Sequence, residues 1–481
     1  MGRKKIWPKD AWRVAVMLIV VLTMIAGPAQ SRELQKKEEI QKAGLDACIE
    51  QALENNRRRP ASRFALEMAQ AQHRQTLAAY WPQVTAQGGF SRLDEALNFD
   101  YPAGAITLPN HPLLGGLAGL SIPTPGQEID ILVEKSYTAT IEATWLLYDG
   151  GMRKGYREQT QGLVDIMKQE VRRTDLEIID DVKRYYWGAV LAKKLHQVGL
   201  DTLSRMNATL NLTETMYKEG AGTVKKTDWL NNKVMVDTLR SMVALLEKNK
   251  LMSRAALANT MGLSWEKSVE PEDRKIPLSS FPIDTGEIVE KAYTFNPDWA
   301  KVEAGLKAAE GALKTAKSGF FPKLALTGDI HKWWPDSAGG LATPENEQGW
   351  TFGIGVEIPL FNGMLTVNKI AAARAAIAKI KEEQFLLKEG IGLQVRDVLL
   401  SLDAAQKSCD ASGNALAAAT ENRGLNVRAY QSELVETDDV IQAQLTEALM
   451  AAQHYKARYE HVALLSRLDL IVGAEVLNQM E

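Results

Sequence analysis

Two short stretches concentrate charge in a chain that is otherwise balanced. Lys225-Lys226-Thr227-Asp228 follows a glycine pair, Gly220 and Gly222, and Glu433, Glu436, Asp438 and Asp439 follow Tyr430 some two hundred positions later. Two kinds of chemistry suit such groups. Opposed charges on neighbouring helical hairpins would latch them together, and acidic residues repeated around an oligomer would form a negative ring that favours cations. A plainer reading stands beside these: Thr437 with Asp438 and Asp439 suits a helix start, where a hydroxyl or carboxylate caps free N–H groups and meets the positive end of the helix dipole. Catalysis finds no support. The six histidines show no metal-ligand spacing, and no nucleophile elbow or phosphate-loop lysine motif occurs. Gly220-Ala-Gly222-Thr-Val-Lys-Lys226-Thr lacks the strand and spacing of a phosphate loop and reads as a helix-to-helix turn. No cofactor and no metal is expected, and the chain is not expected to be an enzyme.

The elements that carry these stretches follow from the prolines. None lies between Gly126 and Glu270 or beyond Pro359, whereas Pro102, Pro109, Pro112, Pro123 and Pro125 crowd one segment and Pro271, Pro277 and Pro282 another. An interior proline costs a helix about 3 kcal/mol, so long helices belong in the gaps and loops or linkers in the crowded segments. Leu176, Ile179, Val182, Tyr186 and Val190 recur at helical spacing, and Met206, Leu210, Thr213 and Tyr217 continue the stripe. The pattern predicts a helix from Gly151 to Tyr217, about 100 Å long, and a second from Thr227 to Met261. The same plan returns from Met364 to Tyr430 and from Asp438 to Ile471.

Four segments alternate with period two instead: Tyr137–Leu147, Leu324–Ile330, Thr351–Leu360 and, more weakly, Val84–Phe90. Aromatic residues gather at their ends, among them Trp81, Trp145, Tyr148, Phe320, Phe321, Trp333, Trp334, Trp350 and Phe361. Ten-residue alternating strands with aromatic ends suit the wall of a transmembrane β-barrel. Two strand-to-helix phrases, Tyr148-Asp149-Gly150-Gly151 and Phe361-Asn362-Gly363, close the second strand of each half. Glycine there permits backbone angles that other residues resist.

The chain is therefore a doubled unit, with residues 30–268 as the first repeat, 269–283 as a linker and 284–481 as the second, whose opening helix is expected to run from Thr285 to Ser318. Residues 1–29 combine Arg3, Lys4, Lys5, Lys9 and Arg13 with an apolar run from Val14 to Ile25 and small residues up to Ala29, the pattern of a secretory signal. Four strands are too few to close a barrel in lipid, so the chain must assemble with copies of itself. Cys48 and Cys409 are open to two readings, a disulfide or two small core residues. With 57 basic and 60 acidic residues, no nucleic-acid surface is expected.

This layout, the phrases LLYDGG and LFNG, the Trp81-Pro82 and Phe321-Pro322 strand entries, and the tips at Tyr217–Gly220 and Tyr430–Glu433 resemble the TolC family of outer-membrane efflux proteins, from Leu45 to Gly473. The resemblance implies a mixed α and β fold. Long antiparallel helical hairpins would form a periplasmic α-barrel, and each chain would give four strands to an oligomeric transmembrane β-barrel. It further implies a homotrimer in the outer membrane of a Gram-negative bacterium, contacting its lipid and extending into the periplasm, and acting as an exit duct for small molecules with a periplasmic adaptor and an inner-membrane pump. Type I protein secretion and a poreless periplasmic coiled-coil scaffold are the alternatives. By position in the tip motif, Thr227, Asp228 and Tyr430 match the family's periplasmic latch and Asp439 an acidic ring position, with Lys225, Lys226, Glu436 and Asp438 as supporting charges. Val435 stands where the family's latch has an arginine, and Gln442 where a second acidic ring would be. The stretch from Phe99 to Asp130 would be an extracellular loop, longer than its counterpart from Pro335 to Gly349.

Overall fold

The computed structural model describes residues 40–95, 97–220, 224–279, 285–335 and 347–473. The signal-like segment 1–29 and most of the 335–349 loop lie outside the described residues. The order is β1 (Ile40–Ala43), α1 (Leu45–Asn55), α2 (Arg58–Ala78), β2 (Gln83–Arg92), β3 (Leu97–Tyr101), β4 (Gly104–Thr107), a short 3-10 turn, β5 (Ser121–Thr124), β6 (Gln127–Leu132), β7 (Lys135–Tyr148), α3 (Met152–Glu219), α4 (Lys226–Thr260), β8 (Ser268–Pro271), α5 (Thr285–Phe295), α6 (Pro297–Ser318), β9 (Lys323–Pro335), β10 (Gln348–Glu357), α7 (Leu365–Gln431) and α8 (Thr437–Val472).

The proline gaps hold the two longest helices, α3 with 68 residues and α7 with 67. At 1.5 Å per residue each spans about 100 Å. Their partners α4 and α8, with 35 and 36 residues, return only half that distance. The other half is covered by α1 with α2 and by α5 with α6, so each repeat has a waist where its short helices meet end to end.

The waist departs from the sequence reading. One helix was expected over Thr285–Ser318, but the chain breaks at Asn296-Pro297, and the first repeat breaks in the same manner at Asn56-Arg57. Both asparagines are extended, with φ −65° and ψ 124° or 122°. The Asn296 side chain accepts from the N–H groups of Asp298 and Trp299 and donates to the Ile471 carbonyl at 2.7 Å. Asn56 accepts from the Arg58 N–H and donates to the Thr260 carbonyl at 2.8 Å. Each asparagine thus starts one helix and ties off the last turn of another. Gly262 and Gly473, both left-handed, end those other helices against the Asn55 and Phe295 carbonyls, where a Cβ has no room.

Two apolar cores sit at this level. Cys48, Ile178, Val182, Tyr186, Leu257, Met261, Val269 and Ile276 form the first, and Ile288, Ile391, Val395, Val398, Leu399, Leu468 and Val472 the second. The 269–283 segment contributes to the first: β8 pairs in parallel with β1, and Val269 and Ile276 are buried. Cys48 and Cys409 are buried and free, so the disulfide reading is set aside. Burial pushes the Cys48 thiol up to about 11, with Glu272 adding to the shift, which suits an inert core residue.

The four alternating segments form one antiparallel sheet in the order β10-β9-β7-β2. The strand expected to reach Leu360 stops at Glu357, since Pro359 offers no N–H to a ladder. Phe99–Asp130 is also more ordered than a loop. β3 pairs with β6 and β4 with β5, extending the β2/β7 hairpin as narrow ribbons, with Pro123 tolerated on a two-stranded edge. No described helix is long and apolar enough to cross a membrane.

Candidate functional site: a lipid-suited sheet, its junctions and the helical tips

The sheet register gathers the apolar residues on one face. Val84, Ala143 and Gly328 stand beside Phe352, and Ala86, Ile141 and Ile330 beside Trp350. Among the described residues nothing covers this face: Trp350 is 77% exposed and Ile354 64%. The opposite face carries Thr85, Thr140, Glu142, Thr327 and Asp329, with Glu142 and Asp329 directly across from one another. Apolar outside and polar inside is the arrangement of a barrel wall around water.

Where the wall meets the helices, the two junctions use the left-handed region twice each. Gly150 and Gly151 have φ of 64° and 90°, and Gly363 and Met364 have 61° and 66°. Asp149, buried, organises the first turn. One carboxylate oxygen accepts from the Gly151 N–H at 3.0 Å, and the other from the Arg153 N–H at 2.9 Å and its Nε at 2.8 Å. Arg153 then donates to the Ala79 and Leu147 carbonyls and lies over the Tyr80 ring, which fastens the strand end to the incoming helix. A Cβ on Gly150 would collide with Phe321 of the second repeat. At the second junction Asn362 donates to the Thr366 hydroxyl at 2.6 Å, a neutral and simpler version of the same turn. Met364 as its second left-handed residue carried no signal in the sequence.

At the other end of the long helices the tip residues divide. Asp228 is half-buried and accepts from the Lys225 N–H at 2.9 Å and from the Thr227 hydroxyl at 3.1 Å, bridging the first turn of α4. Asp439 accepts from the Glu436 N–H at 3.2 Å at the start of α8, and Asp438 accepts from Gln442 at 3.1 Å. Helix capping is therefore one role of both aspartates. Lys225, Lys226 and Glu436 are exposed. Stacking of Tyr217 on Trp229 at 5.8 Å braces the first tip from inside.

Tyr430 belongs to a different set. It is 3% exposed, and its hydroxyl bonds Thr213 on α3 at 2.8 Å and Thr437 on α8 at 2.9 Å. Neither of these partners is Thr227 or Asp228. Asn232 on α4 donates to the same Thr213 hydroxyl at 3.4 Å, so four helices converge on one polar layer. Further from the tip Gln444 donates to Thr209 at 2.9 Å, and beyond it the Glu447 carboxylate pairs with Arg205 of α3 at 3.1 Å and Arg423 of α7 at 2.8 Å. A cavity of about 220 Å³ lies between these rungs, lined by Arg205, Arg423, Tyr430 and Gln444. Sequence reasoning missed this ladder because its members are isolated polar residues in apolar stripes on different helices. The signal was present only as Thr209 and Thr213 at i and i+4.

The chain matches the model of the outer membrane efflux protein family over residues 48–263 and 288–474. It is 21% identical over 427 residues to the pyoverdine export outer membrane protein OpmQ of Pseudomonas aeruginosa, covering 86% of this chain and 84% of that protein. It is 21% identical over 342 residues to the cation efflux system protein CusC of Escherichia coli K12, covering 71% of this chain and 65% of that protein. The fold is shared with solved structures of VceC from Vibrio cholerae (TM-score 0.71, 16% identity, 89% of this chain and 96% of that one) and of the CmeC outer membrane channel of Campylobacter jejuni (0.72, 14%, 90% and 86%). With a doubled unit, an apolar-faced sheet and 100 Å hairpins already in place, the match of both repeats makes the chain a member of the outer membrane efflux protein family, the TolC-like channels of the Gram-negative outer membrane.

Proposed function

We propose that three copies of the chain close a twelve-strand barrel in the outer membrane and a helical tunnel below it, forming an exit duct for small molecules. The observation that carries this reading is the sheet: one continuous apolar face, with β2 and β10 as its edges. Lipid tolerates no open edge, so β10 of one copy pairs with β2 of the next. Three is the number that the family resemblance implies. An inner-membrane pump would supply the energy and an adaptor would join it to the tips. The names of the relatives, which export pyoverdine or cations, favour small cargo over protein secretion.

In this reading the tips are the closed end. The Tyr430 layer holds the α7/α8 hairpin against the α3/α4 hairpin of the same chain, and Asp228 and Asp439 present charge at the entrance, where threefold repetition makes a ring. Thr227, Lys225, Lys226, Glu436 and Asp438 surround that ring and set its potential. Opening requires the second hairpin to leave the first, so polar bonds with exchangeable partners suit this contact better than a packed apolar core.

The test is made in the sheet. Phe352→Arg with Ile354→Arg puts two charges on the lipid face at about 2–4 kcal/mol each near the midplane. The expected result is loss of heat-resistant oligomer and of outer-membrane insertion. Normal insertion would remove the barrel from the account and leave a periplasmic scaffold.

A further inference from the structure

The apolar face of the sheet is not apolar to its end. Alternation places Arg92 of β2, Lys135 of β7 and Lys332 of β9 on the same side as Phe90, Tyr137 and Trp334. Arg92 stands directly across from Lys135, and the aromatic row Phe90–Tyr137–Trp334 comes next. Lys332 follows one row closer to the helices, beside Ala139 and Gly88. Among the described residues of these four strands the acidic side chains, Glu142, Asp329 and Glu357, all fall on the other face. The two sides therefore differ in sign as well as in polarity.

Height decides what these cations meet. Lys332 is nine residues beyond Lys323, where β9 leaves the helices. At about 3.3 Å per residue and a tilt of about 40°, that is about 23 Å above the helical end, close to the 25 Å height of an apolar barrel band. Arg92 lies equally far along β2 from Gln83. The helices mark the periplasmic side, so Arg92 and Lys332 reach the outer leaflet at its polar boundary.

We propose that this corner of the wall, between Arg92 and Lys332, binds a phosphate-bearing glycolipid of the outer leaflet. The cations flank an aromatic row on which sugar or acyl carbon can lie, and the neighbours of Lys332 on this face, Gly88 and Ala139, are small. Lys332 is exposed and its Nζ lies 5.2 Å from the centre of the Trp334 ring, a contact that holds the ammonium at the interface. In the reduced dielectric at the lipid boundary a phosphate gains more from such cations than it does in water. A lysine merely extended towards solvent would not require small neighbours, an aromatic shelf and strands that keep their acids on the other face together. A free phosphate ion would use the charges but not the shelf, so the proposal commits to the lipid.

This inference rests on the barrel reading, and its test separates the two. The detergent-solubilised protein is mixed with lipid A, with lipid A stripped of its phosphates, and with inorganic phosphate, and retained ligand is read by native mass spectrometry. The expected result is more than tenfold preference for the phosphorylated lipid, loss of that preference in Arg92→Gln with Lys332→Gln, and its retention in Lys332→Arg. Each single glutamine variant gives a smaller loss should the pair assemble poorly. Equal retention of both lipids, an unchanged double variant, or displacement by inorganic phosphate at equal concentration would overturn the site. The same spectra report the mass of the ligand-free protein, so a monomer rejects the oligomeric barrel, whereas an intact oligomer without lipid preference rejects only this inference.

Discussion

The waist and the tips lie on the same long helices and are held by different means. At the waist two apolar cores, two buried asparagines and two left-handed glycines fix where each short helix ends, and the pattern is repeated in both halves. At the tips the apolar cluster shrinks to Met206, Val236, Leu239 and Ile441 with a few neighbours, and polar rungs from Tyr430 to Glu447 take over the contact. Apolar burial is non-directional and large in sum, whereas a buried hydrogen bond contributes about 1 kcal/mol net and is easily exchanged for another. In the proposed duct, with its closed end at the tips, the first device suits the level that stays whole and the second the level that parts.

The sharpest way to break the waist is Gly473→Ala. A left-handed alanine against the Phe295 carbonyl is expected to cost about 3 kcal/mol or more, lowering the Tm and the yield of assembled protein. Asn296→Ala removes a cap and a bond to a buried carbonyl, an expected loss of about 2 kcal/mol in chemical denaturation, and Asn56→Ala should match it if the halves are equivalent. At the tips the corresponding change is expected to alter opening more than stability. Tyr430→Phe removes the one Tyr430 bond that crosses between hairpins, to Thr213, at about 1 kcal/mol, enough to shift a closed-to-open ratio about fivefold, while Asp228→Ala removes charge from the entrance; the pair is read as higher single-channel conductance in planar bilayers. Unchanged conductance would release both residues from the gate.

The smallest expected effect is on pH dependence, and it belongs to the waist. Burial, with Arg458 nearby, lowers the His461 pKa below its ordinary 6.5, so the unfolded chain takes up the proton first and stability falls as pH drops through 6.5. Glu270 is bonded to Lys193 at 2.6 Å and Arg254 at 3.0 Å, and its carboxyl is held below 4.5, chiefly by the bond to Lys193. Its contribution is present above pH 4.5 and disappears below it. His196 and His454 are lowered by burial as well, so His461→Gln should make the first decline in Tm shallower and leave the second.

Much of this organisation is legible in the chain because it depends on local periodicity. Proline gaps and i, i+4 stripes locate the long helices to within two residues, and alternation finds all four strands of the wall. What escaped depends on contacts between distant residues. The break at Asn296 is invisible until Ile471 is known to lie beside it, and Pro297 alone reads as a helix start or an interruption. The Phe99–Asp130 ribbons escaped because five prolines outweigh weak alternation, and the tip ladder because Thr209, Thr213, Gln444 and Glu447 come from turns of α3 and α8 that only packing brings together. Motif position singles out Asp228, Tyr430 and Asp439, yet their bonds within the chain, those of the two aspartates at helix starts and that of Tyr430 to a neighbouring hairpin, are visible only in the structure.

The central claim is that this chain works as an oligomer in the outer membrane, and the native mass of unboiled, detergent-extracted protein from separated membrane fractions tests it most directly. The account predicts a mass of three chains, found in the outer-membrane fraction. A single chain in the soluble periplasmic fraction would contradict it.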